Sequence, residues 1–190
     1  MCASEGSALT RLDMAERCVS TAEVTSASRL DQLVGQALPA VRLAYFSGSF
    51  VDLRGLGGRL VIYFYPGCVC SPEDGYRSPV LDVVQHRAFA FRRADFLELA
   101  CRPVGISSQS VQDQRLIAAD TGARHLLLSD PDLQLARALG LPTFNVDKMD
   151  WYCRVLLVVR EGIVARAFSP VSSAAGSAAQ AITWMRGQGV

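Results

Sequence analysis

Lysine occurs once in this chain, at Lys148, and histidine only twice, at His86 and His125. Arginine carries nearly all the positive charge, and 19 basic residues against 18 acidic ones leave a formal net charge of +1. Nucleic-acid binding needs a concentrated basic surface, so the composition argues against that class of partner. No apolar run approaches the ~20 residues of a membrane span. The segment Met1 to Arg11 lacks the basic start and apolar stretch of a secretory leader, which makes the cytoplasm the expected location. There is no Gly-x-Ser-x-Gly elbow and no phosphate loop ending in Gly-Lys-Ser/Thr. Gly55-Leu56-Gly57-Gly58 precedes an apolar run instead of following one, so it reads as a turn and not as a dinucleotide fingerprint.

What is present is globular. The chain has 190 residues, half of them hydrophobic, enough for one domain with a substantial core. Its six cysteines (Cys2, Cys18, Cys68, Cys70, Cys101 and Cys153) need not form a disulfide framework in a chain of this length in a reducing compartment.

Residues 1–33 read as an appendage, with helices expected at about Ser7–Cys18 and Ser26–Val34, and residues 34–190 as the main domain. Strands are expected at Pro39–Phe46, Phe50–Leu53 and Leu60–Tyr65, the last continuously apolar like a strand covered on both faces. A loop follows from Pro66 to Arg77, with a short helical turn at Ser71-Pro72. The main helix is expected from Pro79 to about Leu99, since Ser78-Pro79 is an N-cap and proline pair. Then come a strand at Cys101–Ser107, a helix at Val111–Thr121 closed by Gly122, and a strand at His125–Leu128. A helix capped by Ser129–Asp132 runs to Leu139. Strands at Tyr152–Val159 and Ile163–Phe168 form a hairpin around Arg160-Glu161-Gly162, and a helix at Ser172–Arg186 closes the chain. This alternation predicts an α/β fold: a central mixed sheet flanked by helices, with a parallel core and an antiparallel hairpin at its end.

The most informative feature is Leu60-Val61-Ile62-Tyr63-Phe64-Tyr65-Pro66-Gly67-Cys68-Val69-Cys70. A buried strand that ends at Pro-Gly and delivers two cysteines one residue apart is a mount for thiol chemistry. Cys70 stands directly before Ser71-Pro72, a candidate helix start whose partial positive charge favours a thiolate. A disulfide between Cys68 and Cys70 would close a small, easily reduced ring. In the alternative cycle one sulfur becomes a sulfenic acid and the other resolves it. Cys101 and Cys153 lie in expected strands and read as inert core residues. Cys-x-Cys could also clamp a soft metal ion. A zinc site would need two more ligands, and the histidines offer no paired spacing: His86 reads as a polar-face helix residue and His125 as a satisfied or half-exposed one. Asp130 and Asp132 read as helix caps. Tyr63, Phe64, Tyr65, Trp151 and Tyr152 are core or pocket-lining candidates.

In order along the chain, several phrases resemble the peroxiredoxin branch of the redoxins, within the thioredoxin-fold superfamily. They are Leu53-x-x-Leu56-x-Gly58 before Val61–Pro66, Val104-Gly105-Ile106-Ser107, Leu127–Asp132, and Arg154 ahead of Glu161-Gly162. The resemblance spans about Val34 to Met185. It implies a thioredoxin-like fold and a thiol-dependent oxidoreductase, a thiol peroxidase or a thiol-disulfide oxidoreductase, with an antioxidant role. It implies no organic cofactor, a peroxide or small thiol or disulfide as substrate, an external thiol as reductant, and pairing into a homodimer as one option. It also puts Arg154 in the pocket beside the loop; from their place after the strand, Cys68 and Cys70 are expected to carry the redox change, with Tyr65, Pro66, Gly67 and Trp151 lining the pocket. The family's usual pattern has Thr or Ser four residues after the proline and the attacking cysteine three further on. Counted from Pro66 those positions hold Cys70 and Glu73, and an alignment through Ala90-Phe91-Arg92 puts the cysteine position at Val84 and a partner position at Phe89. Neither restores the motif. Two other readings stay open: a tailoring enzyme acting on a sulfur-bearing metabolite, and a non-catalytic redox-sensing or metal-binding module.

Overall fold

The computed structural model describes residues 29–67, 80–146, 148–169 and 173–188. The expected helix at Ser7–Cys18, both loop cysteines and the helical turn at Ser71 lie outside them.

Seven strands form one twisted sheet in the order β2-β1-β5-β4-β3-β8-β9. They are β1 (Arg42–Tyr45), β2 (Phe50–Asp52), β3 (Arg59–Phe64), β4 (Cys101–Ser107), β5 (Leu126–Ser129), β8 (Val155–Arg160) and β9 (Ile163–Phe168). β3, β4 and β5 are parallel, while β1 and β8 run antiparallel to their neighbours β5 and β3. The fold is therefore the mixed, thioredoxin-like α/β architecture that the alternation of elements implied.

β3 shows why its sequence is apolar throughout. Side chains of a strand alternate between faces. Leu60, Ile62 and Phe64 enter one core cluster, and Val61, Tyr63 and Tyr65 enter the other. Helices α1 (Val80–Phe91), α2 (Arg93–Glu98), α3 (Val111–Thr121) and α5 (Ser177–Gly187) supply Phe89, Phe96, Ile117 and Ile182 to the second cluster. The first receives Leu135 and Leu139 of α4 (Gln134–Leu139). Leu30 and Leu33 are also buried there, so the core reaches back to the chain at 30–33.

Several local expectations are corrected. The single helix expected from Pro79 to Leu99 is two, broken at Arg92. The rings of Phe89 on the first and Phe96 on the second stack at 5.5 Å. α4 begins at Gln134, after Leu133 in the left-handed region with φ of +51°. Asp130 still caps it as expected, accepting from the Gln134 and Leu135 amides at 2.8 and 2.9 Å. The loop expected at 55–58 starts inside a 3-10 turn at Leu53–Leu56. The strand expected at Tyr152–Val159 is interrupted: β7 (Met149–Tyr152) pairs with β6 (Thr143–Val146) in a separate two-stranded sheet, and β8 begins at Val155. The two residues left between them are Cys153 and Arg154. Among the described residues no helix is long and apolar enough to cross a membrane.

Gly105, in the middle of β4, makes room for a phenol. A Cβ there would lie 2.6 Å from the ring carbon and hydroxyl of Tyr63 and 2.7 Å from Leu127. Gly105→Ala is expected to destabilise the fold by about 1–3 kcal/mol, as overpacking of a tight core does. Urea denaturation with an unchanged slope and a lower midpoint is the check; an unchanged midpoint would contradict it.

Candidate active site

β3 and β4 end together, Phe64 beside Ile106, so their carboxyl ends share one rim of the sheet. The chain leaves β3 through Tyr65, Pro66 and Gly67. Gly67 has φ of +96°, and a Cβ on it would meet the Gln109 side chain at 2.5 Å. Only glycine fits this exit, both for its backbone and for the close approach.

Arg154 precedes β8 on the same rim. The β3–β8 register pairs Phe64 with Val155, so its continuation brings Arg154 across from Tyr65 and Cys153 across from Pro66. The Arg154 guanidinium donates from Nη1 to Gln85 Oε1 of α1 at 2.5 Å. Gln85 is fully buried, which locks the arginine's reach. Its own Nε2, and Nε2 of the neighbouring His86, have no hydrogen-bond partner among the described residues. Two buried polar atoms beside a guanidinium leave hydrogen-bonding capacity at this end of the sheet that the described residues do not fill.

The sequence reading had His86 on a polar helix face, but it is fully buried. Its Nδ1 lies 2.7 Å from the Tyr63 hydroxyl, which also meets His125 Nε2 at 2.6 Å. A hydroxyl has one proton, so it donates to one ring and accepts from the other, and both rings can stay neutral. Burial, aided by the charges of His125 and Arg154, pushes the His86 pKa down to about 3. Burial takes His125, half-buried and hydrogen-bonded as expected, down to about 4. His125 is therefore a satisfied, half-buried histidine.

These shifts set a pH dependence. Between the unfolded value of about 6.5 and the folded values, the unfolded chain binds more protons than the folded one. The stabilisation is complete above about pH 6.5 and falls with acid, by about 1.4 kcal/mol per pH unit for His86 until its folded pKa of about 3 is reached, with His125 adding in the same direction. Thermal unfolding at pH 7.5, 6 and 4.5 is expected to show a steadily falling Tm. His86→Gln should flatten that slope; an equally steep slope in the variant would assign the effect elsewhere.

The sulfur atoms divide differently from the expectation. Cys101 is a free, buried thiol whose pKa burial pushes up to about 12, against the opposing charges of Arg59 and Arg102; it is inert as expected. Cys153 is buried as expected, but it is disulfide-bonded and so is not an inert thiol. Its amide donates to the Pro142 carbonyl at 3.0 Å, which anchors the backbone beside Arg154. Cys68 and Cys70 lie outside the described residues.

On the same side of the sheet a cavity of about 750 Å³ opens between Ser108, Pro131, Asp132, Arg137, Lys148 and Trp151. Trp151 thus lines a cavity. Tyr65, Pro66 and Gly67 are not among the residues that line it: Tyr65 is fully buried against Tyr63 and His86. Tyr63, Phe64 and Tyr152 are core residues. The Tyr152 hydroxyl donates to Asp130 at 2.5 Å, and burial with that bond raises its pKa. Among the described residues no group of three His, Cys, Asp or Glu side chains could hold a metal ion.

A family model described as Redoxin matches residues 33–182. The chain belongs to the Redoxin family. Solved structures bear out the peroxiredoxin-like character of this redoxin. Peroxidoxin BcpB of Mycobacterium tuberculosis superimposes with a TM-score of 0.68 at 22% identity, over 81% of this chain and 96% of its own. The bacterioferritin comigratory protein of Xanthomonas campestris, a protein described for alkyl peroxide reduction, gives a TM-score of 0.66 at 26% identity over 80% and 96%. PrxQ of Xylella fastidiosa gives 0.70 at 18% identity over 83% and 97%. None of the curated proteins is significantly similar in sequence. The pair Gln85 and His86 was missed in the sequence; the signal was their place on the inward side of a helix whose next inward residue is Phe89.

Proposed function

We propose that this redoxin is a thiol peroxidase that reduces a hydroperoxide with its own cysteines and is regenerated by an external thiol. A thiolate at Cys68 or Cys70 attacks one peroxide oxygen, the O–O bond breaks, and the departing oxygen takes a proton to leave as water or an alcohol. The sulfur, now a sulfenic acid, condenses with a second cysteine thiol to give a disulfide and water. An external dithiol reduces that disulfide and is itself oxidised. Arg154 stabilises the thiolate and the negative charge that develops on the leaving oxygen.

The observation that carries this reading is the position of Arg154, held by buried Gln85 on the rim where β3 runs into Pro66-Gly67-Cys68. Membership of the Redoxin family supports it, as does the alkyl peroxide reduction described for the Xanthomonas protein. A disulfide at Cys153 is consistent with it, since in the cytoplasmic setting that this reading involves, a disulfide is more often transient and catalytic than structural. The reading involves no organic cofactor, a cytoplasmic setting, a boundary of the redoxin domain near residue 34, and assembly as a monomer or homodimer.

The test is consumption of hydrogen peroxide and of an alkyl hydroperoxide by the purified full chain with dithiothreitol or a thioredoxin-type dithiol protein. Turnover above the thiol-only rate is expected. Its absence with both oxidants and both reductants overturns the reading. A second reading, a tailoring reaction on a sulfur-bearing metabolite, is favoured by the cavity beside Trp151, which is far larger than a small peroxide needs. Chemical conversion of a sulfur-bearing small metabolite, with turnover of neither peroxides nor simple disulfides, would select it.

A further inference from the structure

A second cavity, of about 410 Å³, lies at the opposite end of the parallel strands, where β4 begins at Cys101 and β5 at Leu126. β4 is seven residues long, so this end lies about 20 Å from the rim that carries Arg154. The volume falls within the ~300–1,000 Å³ of ordinary small-molecule sites. Its walls are apolar: Phe89, Phe96, Leu97, Pro103 and Leu126 contribute. Leu97 adds an exposed apolar side chain, 62% accessible, to its edge.

The charge around it is of one sign. Arg93, Arg102 and Arg124 line the cavity, and among the described residues no acidic side chain does. The carboxylates nearby are already engaged: Asp95 pairs with Arg92 and Arg186, Glu98 with Arg186, and Asp120 with Arg87. Among the described residues no carboxylate pairs with Arg93, Arg102 or Arg124. Arg102 is held in place, donating from Nη2 to the carbonyls of Leu56 and Gly57. His125, at the back of the cavity, is bonded to Tyr63 and is neutral at pH 7, so it adds no charge. Three like charges gathered without counterions on a nearly neutral protein repel one another, and an anion relieves that repulsion.

We propose that this cavity binds an amphipathic carboxylate, an aliphatic or aromatic acid whose apolar body lies against Phe89, Phe96 and Leu126 while its head group meets Arg93 and Arg124. The site is separate from the redox reaction and does not depend on that reading. Both arginines are exposed and hold no hydrogen bond or ion pair among the described residues, so replacing them leaves the fold intact.

Titration calorimetry of the full chain with decanoate, decanol and inorganic phosphate tests it, with amide NMR shifts locating the ligand. Decanoate is expected to bind at least tenfold more tightly than either control and to shift Leu97, Gly122 and Arg124. The double variant Arg93→Gln/Arg124→Gln, with unchanged Tm, is expected to lose at least tenfold in decanoate affinity. Equal binding of decanol would reduce the site to an apolar groove, and equal binding of phosphate to a surface anion cluster; either overturns the proposal. So would shifts confined to the Arg154 rim, or undiminished affinity in the folded double variant.

Discussion

Serine at both Cys68 and Cys70 is expected to reduce thiol-dependent peroxide turnover to the uncatalysed rate. The argument is chemical: a hydroxyl is a far weaker nucleophile than a thiolate near neutral pH and cannot store the oxidising equivalent as a disulfide. The two other cysteines among the described residues are poorly placed for attack. Cys101 is buried with its pKa pushed up to about 12, and Cys153 is buried too. The single variants carry the finer information. Whichever abolishes even the first, stoichiometric reaction with peroxide identifies the attacking sulfur. A variant that completes one turnover and then stalls identifies the resolving one. Peptide mass mapping before and after dithiothreitol reports which cysteine Cys153 exchanges with. Undiminished turnover in the double variant would remove both loop cysteines from the mechanism.

Arg154→Gln is expected to lower kcat/KM for peroxide by about 10²–10³-fold, the usual cost of losing one preorganised donor to developing negative charge. The direction has two causes. Without the guanidinium the loop thiol ionises at higher pH, so the rate profile should move to alkaline pH. The leaving oxygen also loses its donor, so the rate should stay depressed even where the thiol is fully ionised. Arg154→Lys should recover part of the first effect, because it keeps the charge, and little of the second, because it lacks the planar fork. Gln85→Ala is expected to fall between wild type and Arg154→Gln, since it removes one hydrogen bond that positions the arginine and keeps its charge. If Arg154→Gln keeps its rate to within threefold and its pH profile stays in place, Arg154 is a structural arginine and the electrostatic part of the proposal is lost.

Both experiments concern residues that the sequence singled out. Leu60 to Tyr65 could be read as the central strand because burial on both faces leaves no polar position in it, a constraint visible one residue at a time. Gly122 ends α3 in the left-handed conformation, as a lone glycine after a periodic segment implies. The turn Glu161-Gly162, both residues with positive φ, likewise follows from local turn chemistry. These features are short-range, and the chain writes them plainly.

What stayed hidden depends on partners distant in sequence. Helical spacing to Phe89 hinted that His86 faces inward, but its partner is a tyrosine 23 residues away, a contact no local pattern encodes, so His86 was misread. The break between Tyr152 and Val155 arises because β7 pairs with β6 while β8 pairs with β3, a choice between neighbours made only in the assembled sheet. That break is what leaves Arg154 on the rim and in reach of Gln85, 69 residues earlier. The sequence alone therefore determined the fold class, the strand that carries the loop and the residue types available for thiol chemistry, because these rest on local burial and turn geometry. The tertiary structure alone decided that Arg154 meets Gln85, that two histidines share one phenol, and that three arginines surround an apolar cavity without a carboxylate, because each is a contact between segments that only the closed sheet brings together.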